Sequence, residues 1–223
     1  MLYKIKDLVT EKISGEWGNE GNPEIGVKVI RTANFTNEGK INFKNVVYRN
    51  IEQQKIKVKK LKFGDIIIEK SGGSPEQPVG RVVFFNLKTD ESFLCNNFTT
   101  ILRPNKKLVY PEYLFYQLYG NYKRRKTLKY QNKTTGIINL KLDDYLESKI
   151  DINIDINQQR KIPQILSEVE DLITQRKESI ALLDELVKST FLKMFGTINK
   201  PLFKTKSLEK LSLKITDGTH QSP

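Results

Sequence analysis

The chain has 223 residues, 38% of them hydrophobic and 29% charged, with a formal net charge of +12. That apolar share supports a packed core and excludes wholesale disorder, and the length suits one domain of ~100–200 residues plus extra elements. A single cysteine, Cys95, excludes an internal disulfide, and with a single histidine, His220, it leaves too few ligands for a Cys/His zinc site.

In chain order, residues 1–155 read as a mixed α/β (α+β) domain. Short apolar or alternating runs predict strands at 27–30, 65–68, 82–85 and 98–102. Gly and Asn punctuate them at Asn37-Glu38-Gly39, Ser71-Gly72-Gly73-Ser74-Pro75 and Asn96-Asn97. Lys55-Ile56-Lys57-Val58-Lys59 alternates with period two, which predicts lysines on one face of a strand. Pro111 opens a helix that runs to about Gly120, with Leu114, Phe115, Leu118 and Tyr119 on one side. A second helical stretch is expected over Tyr122–Lys129.

The pattern changes after Ile156. Apolar residues recur at alternating steps of four and three: Ile162, Leu166, Val169, Ile173, then, past Arg176, Ile180, Leu183, Val187, Thr190 and Met194. This is a heptad seam, and one helix cannot bury it alone in water. The 33 residues from Ile162 to Met194 span about 50 Å as a helix, longer than a 150-residue domain is wide. A long, projecting coiled-coil helix is therefore expected over 156–196, with Gly196 ending it; the alternative is a helix packed on its own domain. Further on, Tyr3-Lys4-Ile5-Lys6-Asp7-Leu8 recurs as Phe203-Lys204-Thr205-Lys206-Ser207-Leu208. Residues 197–223 then read either as the start of a second copy of the first domain or as a C-terminal stub.

Charge is uneven along these parts. Residues 1–150 carry 27 basic and 16 acidic side chains, whereas 151–200 carry 7 and 8. A positive field confined to the first domain points to a polyanion, nucleic acid before membrane. No apolar run approaches the ~20 residues of a membrane span. The N-terminus lacks the apolar core of a signal peptide, so a cytoplasmic protein is expected.

With these pieces the chain resembles the specificity subunit of type I restriction–modification systems. The resemblance covers nearly all the chain. It is carried by Gly64-Asp65-Ile66-Ile67-Ile68-Glu69-Lys70-Ser71-Gly72-Gly73, by Thr134-Thr135-Gly136-Ile137-Ile138-Asn139-Leu140, and by Ile156-Asn157-Gln158-Gln159-Arg160-Lys161-Ile162. Relatives often have Pro-Pro before the last segment, where Ile154-Asp155 stands here. The tail Ile215-Thr216-Asp217-Gly218-Thr219-His220 is similar to the opening of a recognition domain.

The resemblance implies a target-recognition domain (1–155) and a spacer helix (156–196) for dimerisation and partner docking, without chemistry of its own. Such a subunit binds double-stranded DNA. It directs a methyltransferase (M) subunit and a restriction/translocase (R) subunit to a bipartite site. Cofactors and metal would sit on those partners, none on this chain. One domain and one helix resemble a half subunit or a truncated form of the subunit; a half subunit could form a homodimer through Ile162, Leu166, Val169, Ile173, Ile180, Leu183 and Val187. A dimeric stand-alone DNA-binding regulator, or an adaptor of another defence complex, is the alternative. A nuclease core is disfavoured, because Asp65 and Glu69-Lys70 lack the Glu-x-Lys spacing.

Candidate phosphate contacts are Lys123, Arg124, Arg125, Lys126 and Lys129, several on one helical face, with Lys55, Lys57, Lys59, Lys60 and Lys62 as a second set. Solvated basic faces are the alternative for both. Ser71, Gly72 and Ser74 lie in a glycine loop whose N–H groups suit a phosphate. That loop lacks the Gly-Lys-Ser/Thr ending of a nucleotide-binding loop. Lys133, Thr134 and Thr135 offer a charge and hydroxyls on a turn. Arg31, Asn34, Lys70 and Arg81 are candidates for base edges. Trp17 reads as a small satellite core contact, and Cys95 as an inert buried thiol.

Overall fold

The structure is a computed structural model and describes residues 1–134, 137–152, 154–197, 199–204 and 206–216; of Lys133 and Thr134 it describes the backbone. Two compact units divide it, Met1–Leu166 and Ser167–Pro223.

The first unit opens with β1 (Leu2–Lys4), β2 (Val9–Ser14), β3 (Asn19–Glu20), β4 (Val27–Ile30) and β5 (Val47–Asn50). Helix α1 (Gln53–Lys59) leads to β6 (Ile66–Glu69), β7 (Ser71–Gly73), β8 (Val82–Phe84), β9 (Phe93–Cys95) and β10 (Thr99–Pro104). Then come α2 (Pro111–Lys123), β11 (Gln131–Thr134), β12 (Ile137–Leu140), α3 (Leu142–Leu146) and β13 (Lys149–Asp151).

An antiparallel sheet of order β2-β10-β6-β8 is the spine of the unit. Its inner strands are apolar on both faces because both faces are covered. Ile66, Ile68, Leu102 and Val82 enter one core with α2 residues Leu114 and Leu118 and with Ile5, Leu8, Ile138 and Tyr145. Ile67, Ile101 and Val83 point the other way, onto Ile30, Phe85, Phe93 and Cys95. A second sheet, β3-β5-β4-β9, covers that side, with Trp17 and Ile56 packed at its margin on Val27, Val29 and Leu94. Trp17 is thus the satellite contact expected, and Cys95 is buried.

Asp65, Arg103 and Glu11 pin the spine. The Arg103 guanidinium donates to both Asp65 carboxylate oxygens at 2.9 Å and to Glu11 Oε2 at 2.7 Å. These partners raise the Arg103 pKa, the hydrogen bonds to Asp65 most of all. β1 pairs antiparallel with β13, which ties the N-terminus to the end of the domain.

Three local expectations need correction. Lys55–Lys59 is part of α1, not a strand: the core covers only Ile56, while Val58 is 67% exposed, so alternation has nothing to bury. Ser71–Gly73 is a strand, not a loop, because it pairs with β12, a segment far away in sequence. The Tyr122–Lys129 stretch is not one helix. α2 ends at Lys123, Arg125 takes φ +56, and Leu128–Tyr130 forms a separate 3-10 turn. Thr127, fully buried, packs beside Gly80 and draws the chain back.

Helix α4 (Ile156–Phe195) starts in the first unit. Asp155 caps it: its Oδ1 accepts from the N–H groups of Asn157 and Gln158 at 2.7 and 3.0 Å, and Gln158 Oε1 accepts from Asp155 N at 3.3 Å. This is a reciprocal capping box. Buried Gln159 anchors the first turns, accepting from Tyr110 N and donating to Ile154 O.

In the second unit the rest of α4 carries its apolar stripe in the open. Ile180, Leu183 and Val187 are 60%, 59% and 70% exposed. Gly196, at φ +78, ends the helix in the left-handed region that glycine occupies without strain. There β14 (Gly196–Thr197) pairs with β15 (Lys200–Pro201), and Phe203 meets Phe195 at 6.2 Å between ring centroids. A short helix, α5 (Leu208–Leu211), follows. His220 lies outside the described residues.

Candidate DNA interface

Two segments that are remote in sequence, β7 and the β11-β12 pair, meet in one antiparallel sheet. Gly73 stands opposite Ile138, so Ser74 follows at the end where Thr134 pairs with Ile137. The Ser71–Ser74 and Lys133–Thr134 candidates therefore share a sheet. Thr135 and Gly136 lie outside the described residues.

The loop after β4 forms the facing wall of an open cleft of about 560 Å³ that Thr36, Asn37, Gly72, Ser74, Gln77 and Arg81 help to line. Gly72 is exposed at φ +109, and nothing lies within 4 Å of where a Cβ would stand. Arg81 closes the floor. Its Nε and Nη2 donate to Glu69 at 2.8 and 3.0 Å, its Nη2 also donates to Thr32 O at 3.2 Å, and its guanidinium covers the Phe35 ring.

The end of α2 lies beside this floor. Burial raises the pKa of the Tyr122 phenol, which also feels the charges of Arg81, Glu69 and Arg125. From there Lys123, Arg124, Arg125, Lys126 and Lys129 run exposed to solvent. None of the five forms an ion pair with an acid among the described residues. Aromatic rings steady two of them: Lys123 sits 5.2 Å over Tyr119 and Lys129 4.9 Å over Tyr130. Because the segment folds as a helix end, a turn and a 3-10 turn, these charges fan out rather than align on one helical face.

Three members of the second basic set, Lys55, Lys59 and Lys60, are engaged elsewhere. Lys59 pairs with Glu16 at 2.9 Å, Lys55 approaches the same carboxylate at 3.9 Å, and Lys60 donates to Asp90 O at 2.8 Å. The Lys59 hydrogen bond is the main cause holding the Glu16 carboxyl below its usual range.

The base-edge candidates separate into different roles. Asn34 is buried, and its amide closes its own loop, accepting from Arg31 N at 2.9 Å and donating to Asn42 O at 3.0 Å. Arg31 Nη2 donates to Asn45 O at 3.0 Å. Lys70 lines a different cleft with Lys12, Ser14, Thr100 and Lys141. There its Nζ donates to Ser14 Oγ at 2.7 Å, and burial lowers its pKa. Ser71 Oγ donates to Asn139 Oδ1 at 2.6 Å.

Sequence reasoning missed Asn37 and Gln77. It read Asn37 as punctuation and passed over Gln77, yet Gln77 Nε2 donates to Asn37 Oδ1 at 3.2 Å across the cleft. The acidic pair weighed for a nuclease is neutralised, Asp65 by Arg103 and Glu69 by Arg81. No group of three potential metal ligands occurs among the described residues, and no described helix is long and apolar enough to cross a membrane.

A mixed α/β domain with a polar cleft and a flanking cationic run, followed by a long helix, matches a known class. Residues 3–182 match the type I restriction modification DNA specificity domain, and the chain belongs to that family. It is 26% identical over 212 residues to a Methanocaldococcus jannaschii protein named as the type I restriction enzyme MjaX specificity subunit, covering 94% of this chain and 48% of that one. Two solved structures share the fold. The HsdS subunit from Thermoanaerobacter tengcongensis is 14% identical, with a TM-score of 0.52. A chain from a study of the assembly and conformational transition of the type I R-M system is 15% identical, with a TM-score of 0.55. Each match covers 91% of this chain and 51% of the other. The chain spans about half the length of these relatives.

Proposed function

We propose that this chain reads DNA sequence as the specificity component of a type I restriction–modification assembly. It binds the duplex and orients it, while partner M and R subunits, with their own cofactors, methylate or cut. The chain itself performs no catalysis. The observation that carries this reading is the run Lys123, Arg124, Arg125, Lys126 and Lys129, exposed and without acidic partners beside the cleft. Exposed lysines and arginines free of carboxylates neutralise phosphates and release counterions. Ser71, Gly72 and Ser74, on β7 and just after it, and Lys133 and Thr134, on β11 of the same sheet, extend the contact; Thr135 is added from the sequence alone. Asn34 and Arg81 act behind the surface, holding the loops in place.

The exposed stripe of α4 supports the second half of the reading. Ile180, Leu183 and Val187 cover themselves against a second copy or a methyltransferase subunit. Residues 197–223 stand as the start of a further recognition-domain repeat or as a C-terminal stub.

Duplex titration of the purified full chain at several salt concentrations tests the DNA role. Affinity should fall steeply as salt rises, and a salt-flat affinity refutes it. Co-purification separates the specificity subunit from a stand-alone regulator. The former brings down an N6-adenine methyltransferase, and the latter purifies alone.

A further inference from the structure

Asn37 and Gln77 form a prearranged donor–acceptor pair at the mouth of the cleft. Their side-chain amides meet at 3.2 Å and both residues are exposed. Each amide has one donor group and one acceptor, and their mutual bond uses one of each. Turning both amides together reverses the bond but still leaves one carbonyl oxygen and one NH₂ outside it, on exposed side chains. Among the described residues neither remaining group has a protein partner.

Both amides stand on turns that are already braced. On one wall, Thr36 Oγ1 accepts from the N–H groups of Glu38 and Lys40, and Tyr119 Oη donates to Asn37 O at 3.0 Å. On the other, Ser74 Oγ accepts from Gln77 N at 3.0 Å and donates to Glu76 at 2.9 Å. Ser74 N also donates to Gln77 O at 2.8 Å. Little ordering entropy therefore remains to oppose binding.

The charges nearby select what part of a nucleic acid can enter. Arg81 is neutralised by Glu69. The hydrogen bonds that the Glu76 carboxylate accepts from its own backbone N–H and from Ser74 Oγ hold it below its usual range, so it is anionic at neutral pH. The Glu76 charge makes this mouth a poorer phosphate site than the Lys123–Lys129 run, while neutral base edges meet no such penalty.

We infer that Asn37 and Gln77 together are a base-reading pair that determines specificity, accepting one adenine edge in the major groove. An adenine presents the N7 acceptor and the N6 donor side by side, the complement of a free amide donor beside a free amide acceptor. This rests on the DNA-reading role proposed above.

Selection from a random duplex library with the full chain, alone and with its methyltransferase partner, tests the pair. Total affinity for mixed-sequence DNA is measured in parallel at two salt concentrations. The variants are Asn37→Ala and Gln77→Ala, with the isosteric Asn37→Asp and Gln77→Glu guarding against a folding defect. Both alanine variants should relax preference at the same A·T pair about tenfold, and leave mixed-sequence affinity and its salt dependence unchanged. The isosteric variants, now acceptors only, should move the preference at that position toward C·G, whose cytosine N4 is a donor. An unaltered motif in all four variants overturns the pair while the DNA-reading role stands. A wild-type chain that binds mixed-sequence DNA but selects no motif in either preparation overturns the pair and the sequence-reading role together, leaving only salt-dependent binding. Loss of all DNA binding by the wild type overturns both.

Discussion

Glu69 grips Arg81 with both carboxylate oxygens, Oε2 to Nε at 2.8 Å and Oε1 to Nη2 at 3.0 Å. Glu69 ends β6, and Arg81 precedes β8, the next strand of the spine. The same guanidinium reaches Thr32 O in the loop on the far wall of the cleft. One ion pair thus joins the spine of the domain to the loop that carries Asn34 and Asn37.

Glu69→Ala should therefore loosen the cleft and cost stability together. Removing one member of a buried pair leaves the other uncompensated, typically costing 3–5 kcal/mol. Arg81 retains some access to water, so a loss of about 3 kcal/mol is expected. Urea unfolding of the variant against the parent measures it. A change below about 1 kcal/mol, the scale of exposed pairs, contradicts the strut role.

Charge reversal at Arg124 and Arg125 should weaken binding to all sequences about equally. Each lost phosphate contact lowers the slope of log affinity against log salt by about 0.9, so the pair should lower it by about 2. Anisotropy titrations on two unrelated duplexes give both slopes. Weakening confined to one sequence would make these residues base readers.

Ile180→Asp with Leu183→Asp places two carboxylates in the exposed stripe of α4. Self-association or methyltransferase binding should be lost, with the first domain still folded. Light scattering reads the assembly, and near-ultraviolet circular dichroism reads the domain. Unchanged mass in both settings would remove the stripe from the interface.

Cys95 should be inert until the domain opens. Burial pushes its thiol up to about 11, so at pH 8 the reactive thiolate is scarce as well as covered. Alkylation should track global unfolding in denaturant. Rapid labelling of the native chain at pH 8 would contradict the burial of Cys95 in the core it shares with Ile30 and Ile101.

What the sequence revealed depended on the range of the interaction. The spine strands at Ile66–Glu69 and Val82–Phe84 are legible as apolar runs, because burial on both faces leaves a local mark. The long helix is legible from its heptads, and its end from Gly196. The Ser71–Gly73 strand is not, because it exists only through pairing with Ile138 and Asn139. Lys55–Lys59 misleads for a related reason: alternation predicts a strand only where a sheet edge awaits it, and here Ile56 alone finds a core. The phosphate candidates at Lys123–Lys129 are visible as a charge run. The Asn37–Gln77 pair is not, since two polar turn residues 40 positions apart carry no pattern until the walls of the cleft meet.

A genome-wide methylation map, taken with the gene for this chain intact, deleted and restored, addresses the claim of delegated sequence reading most directly. Deletion should abolish methylation at one bipartite motif, and restoration should return it at that motif alone. A map identical in all three states would contradict the account.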